Sequence, residues 1–404
     1  MNLSILSDGF MISARKITAV IILFVSTFVS LSLFHSYLLI DKFSTLAVDS
    51  SWYSLQVGLF YGSLALLAII GSMISEKVDR RKLLWFGIGF GVLSTASYAL
   101  LGGLLLTLLN SALVGASIGV IFPSCYALLV DYTSSADRAR VFGTAFLASF
   151  ITLVLVVVVF MLLPMGLTEK ILISVAIRLG GFSALLLDPC KREKGKTESW
   201  IAILTRRDFL FYLVPWLMFV LSDGLTKFLN IEVPYVGYVL EQMCVLITAV
   251  IAGVVADWFG RKPPLIIGLV MLGLSYVVMT TTPNELSWLL IFATQGIAWG
   301  LIVISYSAVL GDLAKSGSKE KYFAVGGIMN IFMVTMIFLV LKTLFNPVIS
   351  PSVLYPIVSI MLFGSIIPVL FAKETLSGKR RQAKKMKDHI DKVGKLVQEA
   401  KNSQ

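Results

Sequence analysis

Apolar stretches of about twenty residues recur from end to end of this 404-residue chain, and no other feature constrains its fold as strongly. As a helix, each stretch is long enough to cross the ~30 Å hydrocarbon core of a bilayer. Lipid offers no partner to a bare peptide group, so spanning segments must be helices or closed barrels. A barrel would alternate apolar and polar residues over short strands, whereas the runs here are continuous. With 57% hydrophobic and 14% charged residues, the chain has too little polar surface to cover its apolar mass as a soluble protein.

The runs place twelve spans. Six are expected at Ile17–Ile40, Trp52–Ile74, Leu83–Leu101, Leu104–Val130, Val141–Leu163 and Lys170–Leu187. Six more are expected at Phe209–Ile231, Pro234–Ala256, Leu265–Thr281, Leu286–Leu313, Tyr322–Phe345 and Pro351–Ala372. The expected fold is therefore an all-α polytopic membrane protein. Its organisation is a six-helix half over 1–187, a hydrophilic loop over 188–208, a second six-helix half over 209–372 and a basic tail over 373–404.

Charge sets the orientation. One set of loops carries Lys77, Arg80, Arg81 and Lys82, then Arg138 and Arg140, then Lys191 to Lys196, then Arg261 and Lys262, then Lys315 to Lys321. The opposite set carries only Lys42, Lys170 and Lys342. The alternation is unbroken, so both termini and the central loop are expected in the cytoplasm of a cell with the protein in its plasma membrane. The net charge of +11 then reflects orientation and the tail rather than nucleic-acid binding. Arg15 and Lys16 before a full-length apolar run read as an uncleaved first span.

Cys125, Cys190 and Cys244 are scattered, and His35 and His389 lie far apart, so neither a disulfide framework nor a metal site is expected. No phosphate-binding loop or nucleophile-elbow motif occurs, and an enzyme or a bound cofactor is not expected. Within the central loop, 197–207 reads as a short amphipathic helix at the membrane surface or as a polar linker. In the tail, Met386, Ile390, Val393 and Val397 fall at helical spacing, and this stretch reads as a solvated end or as an amphipathic helix on anionic lipid.

The chain also repeats itself. Gly253-Val-Val-Ala-Asp257-Trp-Phe-Gly260-Arg261-Lys262 has an earlier counterpart in Ser72-Met-Ile-Ser-Glu76-Lys77-Val-Asp79-Arg80-Arg81. One gap-free shift (257 − 76 = 181) relates the two, and also pairs Gly87 with Gly268, Gly115 with Gly296, Gly119 with Gly300 and Asp131 with Asp312. Two homologous halves follow. The Gly-x-x-x-Gly pairs at 115/119 and 296/300 permit close helix approach in lipid.

Six-plus-six spans, a central cytoplasmic loop and a G-x-x-x-D-x-x-G-R-[KR] loop after spans 2 and 8 resemble the major facilitator superfamily. The resemblance covers nearly the whole chain. The second loop matches at Gly253, Asp257, Gly260, Arg261 and Lys262; the first departs at Ser72, Glu76 and Asp79. Asp131 with Arg138, and Asp312 with Lys319, resemble the acid-then-base loops after spans 4 and 10. The resemblance implies that Glu76, Arg80, Arg81, Asp131, Arg138, Gly253, Asp257, Gly260, Arg261, Lys262 and Asp312 latch the cytoplasmic face while the halves rock about a central site. No subfamily is assigned. Span 5 lacks the Gly-Pro motif of drug–proton antiporters, and Ser111 stands where they carry an arginine. Lys373-Glu374-Thr375 faintly resembles a sugar-porter tail, but Asp188-Pro189-Cys190 does not match that group's mid-chain motif.

Ionisable residues inside spans are costly and are functional candidates by default. Here they are Arg178, Asp223, Lys227 and Glu241, with His35 near an outer end. Asp223 and Lys227 share a helix face. Glu241 has no cation on its own helix and is the better proton carrier. Arg178 is open between a pair with a carboxylate, a substrate anion and snorkelling. With Lys227 it weakly favours an anionic or zwitterionic substrate.

The expected function is secondary transport of a small solute by alternating access, coupled to a proton or other cation, by a monomer in the bilayer. The alternatives are a multidrug or metabolite efflux antiporter and a non-transporting sensor or scaffold.

Overall fold

The computed structural model describes residues 3–46, 50–100, 102–187, 195, 197–228, 235–281, 285–345 and 350–376, and the side chains of most of them from Ala14 onward. The tail positions 386–397 lie outside the described residues. So do most of 188–196 and the side chain of Lys227, which is itself in helix. Among the described residues twelve helices are long and apolar enough to cross a membrane, and no strand occurs.

The first half contains α1, which runs over Leu3–Leu33, loosens into a π-helical turn at Phe34–Leu38 and resumes as Leu39–Ser44. It continues with α2 (Ser50–Lys77), α3 (Arg80–Leu100), α4 (Leu104–Asp131), α5 (Arg138–Leu162) and α6 (Leu167–Leu187). The second half contains α7 (Arg207–Phe228), α8 (Tyr235–Phe259), α9 (Lys262–Thr281) and α10 (Glu285–Leu313). It ends with α11 (Lys319–Phe323, a π turn at Ala324–Ile328, then Met329–Phe345) and α12 (Pro351–Phe371). A five-residue helix, Trp200–Leu204, stands between the halves.

Four helices start at charged residues three positions before their apolar runs, α3 at Arg80, α5 at Arg138, α9 at Lys262 and α11 at Lys319. Their first turns are built from the charged loop residues themselves. Such a turn is stable because its side chains reach partners outside lipid, as described below. Pro263 and Pro264 fit the first turn of α9, where backbone N–H groups lack intrahelical acceptors anyway.

Within each half, α2 packs on α4, and α8 packs on α10. A Cβ added at Gly115 would run into the carbonyl oxygen of Phe60, and one added at Gly296 into that of Glu241. Phe60 and Glu241 are themselves related by the sequence shift (241 − 60 = 181). The two halves therefore repeat not only helix order but the register of their closest helix pair, giving two pseudo-symmetric six-helix bundles. Contact needs bare backbone here because helices in lipid gain little from burying more hydrocarbon and depend on close packing.

The bundles meet along two seams, α5 on α8 and α2 on α11. At the first seam Gly253 lies against the backbone of Ala139 and Arg140. At the second, Tyr61 stacks on Phe332 with ring centroids 5.3 Å apart. Exposed apolar side chains such as Leu93, Leu172, Ile357 and Ile360 sit on α3, α6 and α12. A water-facing surface would not tolerate so many; a lipid-facing one requires them.

Candidate functional site

A cavity of about 660 Å³ lies between the two bundles. The first half contributes mostly apolar walls, among them Phe28, Leu31, Phe146 and Phe150. The second contributes the charged groups, Asp223 from α7 and Glu241 from α8, with Tyr276 and Trp299. The two carboxylates are thus brought to one chamber, as adjacent spans at similar depth would allow. His35 reaches the same chamber from the π turn of α1, its ring 5.1 Å from that of Tyr61.

Both π turns border the cavity, and looser helix there exposes carbonyls that need partners. In α11 those partners are provided. Tyr306 donates to the Gly326 carbonyl at 2.8 Å, and Asn330 donates to that of Val325 at 2.8 Å. Tyr306 in turn stacks on Trp216, with centroids 4.2 Å apart. The Trp216 indole N–H, buried at the cavity wall, has no hydrogen-bond partner among the described residues.

Toward the loops that carry the basic residues, the cavity ends on an aromatic floor. Tyr126 of α4 stacks on Phe323 of α11 at 4.9 Å, and Phe142 of α5 packs beside both. This floor joins the two bundles. Below it lies a layer of buried ion pairs arranged as two clusters.

The first cluster is centred on Arg261. Its guanidinium bonds Asp257 at 2.6 Å and Asp312 at 3.0 Å, and donates to the Ser135 carbonyl at 2.5 Å. Asp312 is also paired with Arg138. Asp257 reaches across the seam to the start of α5, accepting from the backbone N–H of Ala139 at 3.1 Å and of Arg140 at 3.0 Å. The Arg140 side chain joins it at 3.3 Å. A carboxylate there satisfies unpaired N–H groups and meets the positive end of the helix.

The second cluster is centred on Arg80. It bonds Asp131 at 2.6 Å and Glu320 at 2.5 Å. Asp131 is also paired with Lys319, and Glu76 meets Lys321 at 2.5 Å. Shifted by 181, Arg80–Asp131 becomes Arg261–Asp312, Lys319–Asp131 becomes Arg138–Asp312, and Lys321–Glu76 becomes Arg140–Asp257. Three ion pairs therefore recur in both clusters.

The clusters differ where the first loop departs from its counterpart. Asp257 serves both Arg261 and the seam; Glu76 engages Lys321, and Glu320 takes the place beside Arg80. Glu320 was invisible to motif reading. Its counterpart is Ala139, and the only signal was an added acid opposite a motif that had changed its own.

Asp79 stands where the second loop has Gly260. Asp79 accepts from the Arg81 N–H at 3.2 Å and so caps α3 from within the chain. Gly260, at φ +108°, leaves room for Glu374, whose carboxylate caps α9 from outside through the N–H groups of Arg261 (2.9 Å) and Lys262 (3.2 Å). The Lys262 side chain donates to the Leu370 and Ala372 carbonyls at 2.9 Å, closing the end of α12. The Arg81 side chain is exposed and stands outside both clusters.

The segment before α7 is bound to the same layer. Glu198 meets Lys315 at 2.6 Å and accepts from the Tyr322 hydroxyl at 2.9 Å, while its carbonyl accepts from Lys321 at 2.8 Å. Lys321 also lies over the Trp200 ring, 5.2 Å from its centroid. Burial pushes the Glu198 carboxyl up, but the bonds from Lys315 and Tyr322 and the charges of Lys315 and Arg206 outweigh it and hold it below the ordinary range. The short helix keeps Ile203 buried and Ile201 exposed.

Arg178 does not reach the cavity. It lies inside the first bundle, donating to the Ser117 hydroxyl at 2.8 Å and packed against Gly91. Its second terminal nitrogen has no hydrogen-bond partner among the described residues. Beside it is a void of about 20 Å³ bordered by Ser26, Thr27 and Ser30, about the size of one water molecule. None of the three sequence readings of Arg178 describes this placement. Ser111, in the position of the antiporter arginine, accepts from Gln56 at 2.9 Å.

Residues 240–403 match the family described as "Sugar (and other) transporter". No curated protein sequence matches the chain. Among solved structures, it is similar to the human organic anion transporter MFSD10 (TETRAN), with a TM-score of 0.66 and 14% identity over 88% of this chain and 99% of that one. It is also similar to FucP, a Major Facilitator Superfamily transporter in the outward conformation, with a TM-score of 0.63 and 13% identity over 89% of this chain and 98% of that one.

Proposed function

We propose that this chain, which has the fold of the major facilitator superfamily, is a secondary transporter moving a small solute by alternating access. The observation that carries this reading is the vertical order of its parts. A cavity between the bundles stands on an aromatic floor, and the floor stands on two pseudo-symmetric ion-pair clusters. Such an arrangement blocks one face and leaves the cavity to be reached from the other. Rocking the bundles about the cavity breaks the seam pairs and exposes it to the first face.

With the basic loops in the cytoplasm, the conformation is outward-facing, and Glu76, Arg80, Asp131, Arg138, Asp257, Arg261 and Asp312 are its cytoplasmic latch. Buried pairs suit a latch because they must break together and cannot slide continuously. Arg81 contributes orientation rather than closure. Gly253 and Gly260 contribute close approach, and Lys262 holds the end of α12.

Glu241 and Asp223 are the coupling residues of this reading. Each lines the cavity and can exchange a proton with whichever side the cavity faces. The sugar-transporter match and the two structural neighbours support transport without selecting a substrate. The test is flux into proteoliposomes across a solute panel, with and without a proton gradient. Gradient-driven accumulation that disappears in Glu241→Gln is the expected result; no flux of any solute under any gradient overturns the proposal.

A further inference from the structure

We infer that the π turn of α11 is a register switch, with Asn330 and Tyr306 as the positioning residues that hold it. While the turn persists, the start of α11 grips the opposite bundle. When it tightens into α-helix, that start twists away and the Arg80 cluster opens. This rests on the transporter reading and names the device that frees one of its two clusters.

The turn depends on side chains outside its own backbone ladder. The Met329 N–H donates to the Ala324 carbonyl, five residues back instead of four. A helix with one residue too many leaves carbonyls without their α-helical donors. Two buried side chains supply the missing bonds. Asn330 donates to the Val325 carbonyl at 2.8 Å and to that of Gly326 at 3.3 Å, and Tyr306 donates to Gly326 at 2.8 Å. Gly326 and Gly327 within the turn keep its backbone pliable.

The consequence lies ahead of the turn. An α-helix advances ~100° and ~1.5 Å per residue, so absorbing the extra residue rotates Lys319–Phe323 by about that angle against Met329–Phe345. Lys319 pairs with Asp131, Glu320 with Arg80 and Lys321 with Glu76, while Phe323 stacks on Tyr126 of the floor. These four side chains engage the first bundle, whereas Tyr322 between them packs on Phe209 of its own. A twist of that size releases the three ion pairs and the floor contact together.

The other half lacks the device. Shifted by 181, Ala324–Ile328 becomes 143–147 of α5, which is unbroken α-helix over Arg138–Leu162. Gly326 and Gly327 become Ala145 and Phe146, and the donors Asn330 and Tyr306 become Ser149 and Cys125. Ser149 only back-bonds to Ala145 at 2.8 Å, four residues earlier. The extra residue and both of its holders thus belong to the second half alone. Tyr306, Gly327 and Ile328 also line the cavity. A solute that draws the Tyr306 hydroxyl off Gly326 therefore loosens the turn and signals its arrival to the floor.

Deleting Gly327 tests the switch, because losing one residue makes the turn α-helical while both flanks stay in register. A Cβ there would meet nothing closer than 3.6 Å, so the position is loosely packed. Spin labels replace the exposed Arg81 and Phe259, at the latch ends of opposite bundles. The full-length protein, lacking its three cysteines, is placed in lipid nanodiscs and the label separation is read by pulsed electron resonance. Asn330→Leu and Tyr306→Phe should each shift the distribution to longer distances. The Gly327 deletion should hold the short distance and lose solute flux. Asn330→Leu added to the deletion should shift nothing, since no π turn remains to be held; a merely structural defect would persist there. Distances unchanged in both donor variants overturn the inference, as does full flux in a folded deletion. If the deletion does not fold, the donor variants decide alone. Flux in the unmodified protein separates the two readings: none for any solute sinks the transporter, while the distances still decide the switch.

Discussion

Arg80 and Glu320 meet at 2.5 Å across the seam between the two bundles, each only 1% exposed. By the 181-residue shift the partner of Arg80 should be Glu76, as Asp257 partners Arg261. Glu76 has instead been drawn to Lys321. The first half has thus moved one carboxylate from the α2 loop to α11, converting a contact within a half into a contact between halves.

Glu320→Gln is therefore expected to loosen the seam itself. Removing one partner from a buried pair costs ~3–5 kcal/mol, less here because Asp131 still holds Arg80. The readout is maleimide labelling of a cysteine at the buried Ser135, in a background lacking Cys125, Cys190 and Cys244. Labelling should accelerate in Glu320→Gln and in Asp257→Asn, and should not change in Arg81→Gln. Equal labelling in all three removes the distinction between the clusters and the exposed arginine.

Gly260 is the second departure with a measurable consequence. An alanine there must adopt φ near +108° and place a Cβ 2.6 Å from a Glu374 oxygen. Strain of this kind costs ~1–3 kcal/mol, and Glu374→Ala, which only removes a cap, should cost about 1 kcal/mol. The double variant should be less unstable than the sum, because the clash vanishes while the strain remains. Thermal unfolding of the four proteins checks this; strict additivity would mean that Glu374 does not occupy the space Gly260 provides.

Much of this architecture is legible in the residues. Continuous apolar runs place the helices, and a gap-free shift exposes the duplication down to the register of Gly115 and Gly296. Helix starts are less legible, since Arg138, Lys262 and Lys319 look like loop until their partners are known. The carboxylates of the cavity are found by the cost of burying charge, and the same rule finds Arg178. That rule cannot say which way a buried residue faces. α6 packs on α1 and α3, away from the central cavity, so Arg178 is turned into its own bundle. Glu320 escaped for the opposite reason. It sits among lysines just ahead of the apolar run of α11, where an acid looks like ordinary surface until the seam buries it.

Glu198 gives the basic face a pH response. Its carboxyl is held below the ordinary range, so its contribution is complete above the usual glutamate pKa of about 4.3 and is lost as pH falls through the depressed value. The segment before α7 should stay docked at neutral pH and release only in acid. Trp200, beside Lys321, reports release through its emission in a variant lacking the other six tryptophans. Glu198→Gln should remove the acid transition and leave Trp200 in its released state at neutral pH. An acid transition that persists unchanged in Glu198→Gln assigns it to another group.

Arg178 offers the sharpest contrast between burial and function. Its charge is buried 5% exposed beside a single described side-chain acceptor, Ser117. A buried charge so poorly compensated contributes little net stability, and replacing such groups by apolar ones of similar volume is often neutral or stabilising by ~1–4 kcal/mol. Arg178→Met should therefore melt no lower than the unmodified protein, and should leave solute flux unchanged because Arg178 is absent from the cavity wall. Gly91→Ala should do the reverse. Its Cβ would occupy the space of the guanidinium, and overpacking of this kind costs ~1–3 kcal/mol. Combining the two should restore stability, since methionine can bend away where a charged plane held by Ser117 cannot. If Arg178→Met instead unfolds the protein or abolishes solute flux, the guanidinium is compensated by a partner in the bundle void beside Ser26 and Ser30, and its isolation is disproved.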